Sequence, residues 1–167
     1  ARIVAMMGVE PLQNALNAGA DVIIAGRCSD AAIYAALPLM HGHDAALAWH
    51  LGKIIECGAQ VIEPRAGQDC IIGTLRDDGF EVEPGHPDKS CTRTRMAAHT
   101  LYGNPSPHEL KEPSGVLDSS ACTFTQTDPR TVHVTGSRFK PTEAYTVKLE
   151  GVRRAGFRSI FIAGVRD

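Results

Sequence analysis

The run Ala20-Asp21-Val22-Ile23-Ile24-Ala25-Gly26-Arg27-Cys28-Ser29-Asp30 constrains the fold more than any other stretch. Residues 22–25 are apolar without alternation, which is what a strand covered on both faces requires, and Gly26 permits a sharp turn where such a strand ends. A polar loop and the first turn of a helix follow. Upstream, residues 3–7 form a second short apolar run that ends at Gly8. Pro11 sits near the first turn of a helix, where a missing N–H costs nothing. Leu12, Ala15, Leu16 and Ala18 give that helix an apolar face, and Gly19 stops it. Strand, helix and strand in such quick succession predict a βαβ unit with parallel strands and a right-handed crossover.

Beyond Asp30 the pattern is helical. Residues 31–37 continue as a helix that Pro38 interrupts or kinks, His41-Gly42-His43 is a loop, and Asp44 is a good N-cap for a helix over 45–57 with Gly58 in a C-terminal capping position. After Gln60 the texture changes. Residues 70–75 and 80–83 flank Arg76-Asp77-Asp78-Gly79, whose Asp-Gly pair is a strong hairpin signal. A helix is expected over 95–102, ended by Gly103-Asn104-Pro105-Ser106-Pro107. Residues 121–127 and 131–135 read as a second hairpin around Asp128-Pro129, and 145–149 and 159–163 as two further strands; Asp167 is placed to cap a following helix.

The predicted fold class is therefore α/β: a parallel βαβ start forming a Rossmann-like layer over 1–66, then a β-rich half with antiparallel hairpins over 67–167, either its own subdomain or part of the same domain. The 17 Lys plus Arg against 19 Asp plus Glu, scattered without runs, give no reason to invoke nucleic acid or an anionic membrane surface as partner. No segment approaches the roughly 18 apolar residues of a membrane span. The five cysteines are irregularly spaced with no Cys-x-x-Cys pair, which favours a reduced, cytoplasmic protein over a disulfide framework. A chain that opens on Ala1 inside an apparent strand, with no signal peptide, is expected to be an internal portion of something longer.

Several phrases together resemble the acyclic terpene utilisation (AtuA-like) family, a domain of unknown function. They are Met7-Gly8-Val9-Glu10-Pro11, the central run 18–30, Glu56-Cys57-Gly58-Ala59, Ala97-Ala98-His99-Thr100-Leu101-Tyr102, Glu112-Pro113-Ser114-Gly115, Val134-Thr135-Gly136-Ser137-Arg138-Phe139 and the run 145–151. The resemblance extends over nearly the whole chain, which would correspond to an internal portion lacking the family's Gly-rich N-terminal start and helical C-terminal end. It implies cytoplasmic catabolism of branched acyclic compounds such as citronellol and geraniol, at the acyl-CoA stage or in a related small-acid pathway. It supplies no mechanism and no cofactor.

Candidate chemistry centres on the loops after the first two expected strands. Arg27 either holds a carboxylate or phosphate in a bidentate fork, helped by Ser29 and the following helix N-terminus, or pairs with a surface acid while Ser29 or Asp30 caps the helix. Glu10 lies in the equivalent earlier loop; beside Arg27 it would make an acid-base or ion-pair constellation, and alone it would favour the helix macrodipole. Cys28 reads better as a buried thiol than as a nucleophile. Glu56 ends a helix, where the macrodipole disfavours a carboxylate; either it has another use, or Lys53 holds it on the surface at i−3. His41, His43 and Asp44 lack the spacing of a zinc site, so no metal is assigned. His99, one turn from Tyr102, is a better polar candidate than these, or a satisfied structural histidine, and Gly136-Ser137-Arg138 is a bulge or an anion-holding loop. No nucleophile elbow, P-loop or full dinucleotide fingerprint is present.

Two readings follow. In the first the protein is an enzyme or enzyme subunit acting on a branched carboxylate or acyl-CoA, with Glu10 or Asp30 moving a proton and Arg27, Ser29, His99 and Arg138 binding substrate. In the second it is a non-catalytic module that binds a small ligand or builds a homo-oligomer.

Overall fold

In the computed structural model, which describes residues 1–65, 67, 69–104 and 106–164, the chain runs in this order. It begins β1 (Arg2–Met6), α1 (Glu10–Asn17), α2 (Ala32–Met40), α3 (Ala45–Ile55), a 3-10 turn (Gly58–Val61), β2 (Ile62–Glu63), β3 (Ile71–Leu75) and β4 (Phe80–Pro84). It continues β5 (Ser90–Cys91), α4 (Arg93–Leu101), β6 (Glu109–Glu112), β7 (Gly115–Asp118), β8 (Thr123–Gln126), β9 (Val132–Thr135), β10 (Arg138–Pro141) and β11 (Lys148–Val152).

Helix α3 lies at the centre. The Asp44 carboxylate accepts the Leu47 N–H at 3.1 Å and starts the helix, and every residue from Ala46 to Ile54 is buried. Its Leu47, Leu51 and Ile54 enter one core with Phe80, Val82, Val132 and Val134 of the antiparallel sheet β3-β4-β9-β8 and with Met96 of α4. Its Ala48 and Trp49 enter a second core with Ala32, Ala35 and Ala36 of α2 and Val9 and Leu12 around α1. Trp49 stacks on Phe139 of β10, ring centroids 6.2 Å apart, which ties the three-stranded sheet β10-β7-β6 to the same helix.

The local turn signals hold. The Arg76 N–H donates to the Gly79 carbonyl at 2.9 Å to close the first hairpin, and β3 pairs β4 from Leu75↔Phe80 to Ile71↔Pro84. In the second, the Asp128 carboxylate accepts the Arg130 and Thr131 N–H groups at 2.7 and 2.9 Å, fixing the turn between β8 and β9. Gly19, at φ +82°, ends α1 in the left-handed conformation that glycine adopts without strain.

The parallel βαβ start does not form. Strand β1 pairs antiparallel with β11, from Arg2↔Val152 to Met6↔Lys148, and the named sheets are all antiparallel. Residues 22–25 make no strand; Val22 and Ile24 stand 79% and 97% exposed. A single parallel bridge, Met7↔Cys28, remains of the expected pairing, with the Met7 N–H donating to the Arg27 carbonyl and the Ser29 N–H to the Met7 carbonyl. An apolar run states that a segment favours burial, but not which strand satisfies its backbone; here a segment almost 150 residues downstream takes β1's ladder. Three smaller expectations also change. Pro38 is accommodated inside α2, Gly58 begins the 3-10 turn rather than capping α3 with a positive φ, and 159–163 carry no strand. Asp167 lies outside the described residues.

Gly52 marks where α3 passes closest to the start of α2, since a Cβ there would stand 2.7 Å from the Ala31 carbonyl oxygen. Helix propensity alone favours alanine by about 1 kcal/mol. The contact reverses the sign: Gly52→Ala is expected to destabilise the fold by about 1–3 kcal/mol in urea unfolding, and a stabilised variant would contradict this packing.

Candidate functional site

Strand β6 alternates, with Glu109 and Lys111 exposed and Leu110 and Glu112 buried. That alternation carries a carboxyl group inward, and Glu112 is only 4% exposed. It faces the last turn of α3, where the Lys53 ammonium meets the Glu56 Oε1 at 2.5 Å with the two side chains 9% and 11% exposed. Ser29, Asp30 and Lys148 complete the lining of a cavity of about 60 Å³. The β1–β11 pairing brings Lys148 there by setting it opposite Met6, another lining residue.

Burial pushes the Glu112 carboxyl up to about 7, against the Ser29 hydroxyl and the Lys148 and Lys53 ammonium groups, which favour the ionised form; Glu56 adds to the rise. Its Oε2 has no hydrogen-bond partner among the described residues. A carboxyl balanced between its two protonation states at neutral pH can both give and take a proton. Lys53 and Lys148 supply positive charge beside it, and the Ser29 hydroxyl is a further hydrogen-bonding group.

Of the residues singled out in the sequence, the structure brings Ser29, Asp30, Lys53 and Glu56 to this cavity and leaves Glu10, Arg27, His99 and Arg138 elsewhere. Glu10 accepts the Tyr145 hydroxyl at 2.9 Å, and that hydroxyl accepts the Gly8 N–H at 3.0 Å. Arg27 makes an exposed ion pair with Glu150 at 2.7 Å, the surface-acid alternative, so Glu10 and Arg27 do not pair. Arg138 is exposed on β10, opposite Asp118 in register. His99 is buried in α4 and stacks on Tyr102, centroids 6.0 Å apart. The Cys28 thiol is buried and pushed up by desolvation, as befits an inert core group. Asp44 caps α3. The Lys53–Glu56 pair is the i,i+3 contact the spacing predicts, but it is interior rather than surface.

Sequence reasoning missed Glu112, Lys53 and Lys148 as functional groups. Two signals were available: a carboxylate at the C-terminal end of α3, against the macrodipole, and Glu112 two residues from Leu110 on one face of a strand.

A second polar chain passes through α3. Thr100 Oγ1 donates to the Met96 carbonyl at 3.1 Å, so it accepts from His50 Nε2–H at 3.1 Å, and His50 Nδ1 accepts the Ser137 hydroxyl at 2.7 Å. Cys122 Sγ lies 3.5 Å from Ser137 Oγ. Burial pushes His50 down to about 3, which leaves the imidazole neutral. This chain fastens α3 to α4 and to the loop between β9 and β10, and gives no poised base.

The family model for "Acyclic terpene utilisation family protein AtuA" matches residues 1–166. Among curated proteins and among solved structures nothing matches the chain.

The raised value of Glu112 sets a pH dependence of stability. Between its ordinary value of 4.5 and about 7 the folded chain holds a proton that the unfolded chain has released. Its contribution is therefore full below pH 4.5 and lost as pH rises through about 7. Measured by denaturant unfolding against Glu112→Gln, which cannot titrate, the wild-type chain is expected to lose up to about 3 kcal/mol over that range. A pH-independent difference would show that Glu112 is not desolvated.

Proposed function

The chain belongs to the acyclic terpene utilisation (AtuA) family, and from that premise we propose that it is an enzyme or enzyme subunit acting on a branched carboxylate or acyl-CoA, with Glu112 transferring the proton. The observation that carries this reading is the buried Glu112 carboxyl, shifted to about 7 and facing the Lys53–Glu56 pair across a small cavity.

The cavity of about 60 Å³ admits the reacting end of a substrate rather than a whole one. Ionised Glu112 takes a proton from the carbon next to a carboxyl or thioester carbonyl. The C–H bond breaks, an O–H bond forms on Glu112, and the electron pair moves into the carbonyl as an enolate. The enolate oxygen is stabilised by the Lys53 ammonium and the Ser29 hydroxyl, in a site where little water competes. Return of the proton from Glu112 restores its starting state, so the step balances without a redox partner. In this reading Asp30, exposed at the edge of the cavity, orients the substrate.

A second reading, assembly into a homo-oligomer without chemistry, is favoured by one observation. Val22, Ile24, Phe157, Ile160, Phe161 and Ile162 are large apolar side chains on the surface. Light scattering on the full-length protein tests it, and a strict monomer would remove it.

For the catalytic reading, exchange of α-hydrogens of a branched acyl-CoA with deuterated water, followed by mass spectrometry on the full-length protein, is the direct assay. Glu112→Gln is expected to slow exchange by about 10²–10⁴-fold, whereas Arg27→Ala, at an exposed ion pair, leaves it unchanged. Exchange undiminished in Glu112→Gln would contradict the assignment.

A further inference from the structure

Between the 3-10 turn and α4 lies a cavity of about 110 Å³ lined by Gln60, Arg65, Arg95, Ala98, His99 and Tyr102. His99 is 3% exposed; its ring stands near the Ile54 and Lys53 backbone carbonyls, but among the described residues neither ring nitrogen meets a partner in good hydrogen-bond geometry. A buried imidazole whose hydrogen bonds are poorly aligned gains from a better-placed polar partner. The ring belongs to the lining of the cavity, so a ligand there is within its reach.

The same two arginines, Arg65 and Arg95, line a second, open space of about 740 Å³ together with Lys89 and Arg130. Four cations face this groove against two carboxylates, Glu63 and Asp88, on a chain whose net charge is −2. Arg95 is tied to Glu63, and Lys89 stands 3.9 Å from Asp69. Arg130 is held by three backbone carbonyls, those of Pro84, His86 and Lys89, which orient its guanidinium without cancelling its charge. Arg65 reaches the Gln60 carbonyl alone, at 3.4 Å. Among the described residues, then, two guanidinium groups in one groove have no carboxylate partner.

We propose that the cavity at His99 receives one phosphate and the adjoining groove the rest of an organic diphosphate, of the kind carried by a coenzyme A thioester. The identity of that ligand rests on the acyl-CoA reading above; the charge of the site does not. A single carboxylate would bring one negative charge to this groove, and a diphosphate brings enough to match the unpaired arginines and the partly compensated lysine. Guanidinium groups supply several N–H donors in a plane, which suits phosphate oxygens. His99 adds an imidazole nitrogen to the wall of the same cavity. Lys53 links the two regions, since its ammonium lies 5.9 Å from the Tyr102 ring that lines the phosphate cavity while also lining the cavity of Glu112.

The test is calorimetric titration of the full-length protein with inorganic pyrophosphate and with coenzyme A, for the wild type, Arg65→Glu and Arg65→Gln, each checked for folding by circular dichroism. Arg65 is exposed, and the glutamine variant removes the charge while keeping a polar side chain of moderate length. Both probes are expected to bind the wild type, with affinity at least tenfold weaker in Arg65→Glu and a smaller loss in Arg65→Gln. Added salt should weaken the wild type most. Pyrophosphate that fails to bind, or coenzyme A affinity unchanged in both variants, would overturn the proposal. If both probes bind through Arg65 but no branched acyl-CoA undergoes hydrogen exchange, the phosphate site stands and the catalytic reading falls. If exchange proceeds at the wild-type rate and affinity in both Arg65 variants, the catalytic reading stands and the phosphate site falls.

Discussion

Enclosure of α3 on every side is the constraint from which the rest of the structure follows. A helix buried from Ala46 to Ile54 must satisfy two neighbours at once. It does so by dividing its side chains, with Leu47, Leu51 and Ile54 toward the antiparallel sheet and Ala48 and Trp49 toward the small-residue face of α2. The close approach at Gly52 lets α2 in. His50, fully enclosed, donates to Thr100 of α4 and accepts from Ser137 in the loop before β10. The same enclosure carries Lys53 inward, and an ammonium group there persists because Glu56 meets it one turn later.

The electrostatics of the candidate site follow from that placement. Lys53 and Glu56 nearly cancel as a pair, so Glu112 sits in a cavity whose desolvation outweighs the attraction of Lys53 and Lys148. Were Glu56 absent, the Lys53 charge would be free to hold Glu112 ionised; were Lys53 absent, two carboxylates would share the cavity. Desolvation, only partly opposed by Ser29, Lys148 and Lys53, thus holds the Glu112 carboxyl at about 7. Ser29 enters this arrangement through a short stretch of chain, because the Met7↔Cys28 bridge fixes the residue just before it.

How much of this was legible depended on the range of the interaction. The hairpins at Asp78-Gly79 and Asp128-Pro129, the Asp44 cap and the end of α1 at Gly19 are written in adjacent residues, and turn and cap chemistry acts over three or four of them. The partner of β1 is not written locally. Residues 22–25 are wholly apolar and 148–152 are not, yet the ladder goes to the second, so apolar content does not choose the partner. The placement of Ser29 and Asp30 was legible from the loop position, whereas the displacement of Arg27 and Glu10 from the cavity depends on Glu150 and Tyr145, each more than 120 residues away. Glu112 was hidden for a related reason. Its strand is four residues long and three of them are charged, so the inward face shows only once Leu110 is known to be buried.

The desolvated cavity poises the Glu112 carboxyl at neutral pH. Side-chain ¹³C NMR of the full-length protein, following the Glu112 carboxyl carbon through a pH titration, tests it most directly. A midpoint near 7 is expected, rising further when Lys53 is replaced by methionine and its charge is removed. A midpoint at the ordinary value of 4.5, unmoved by that replacement, would contradict it.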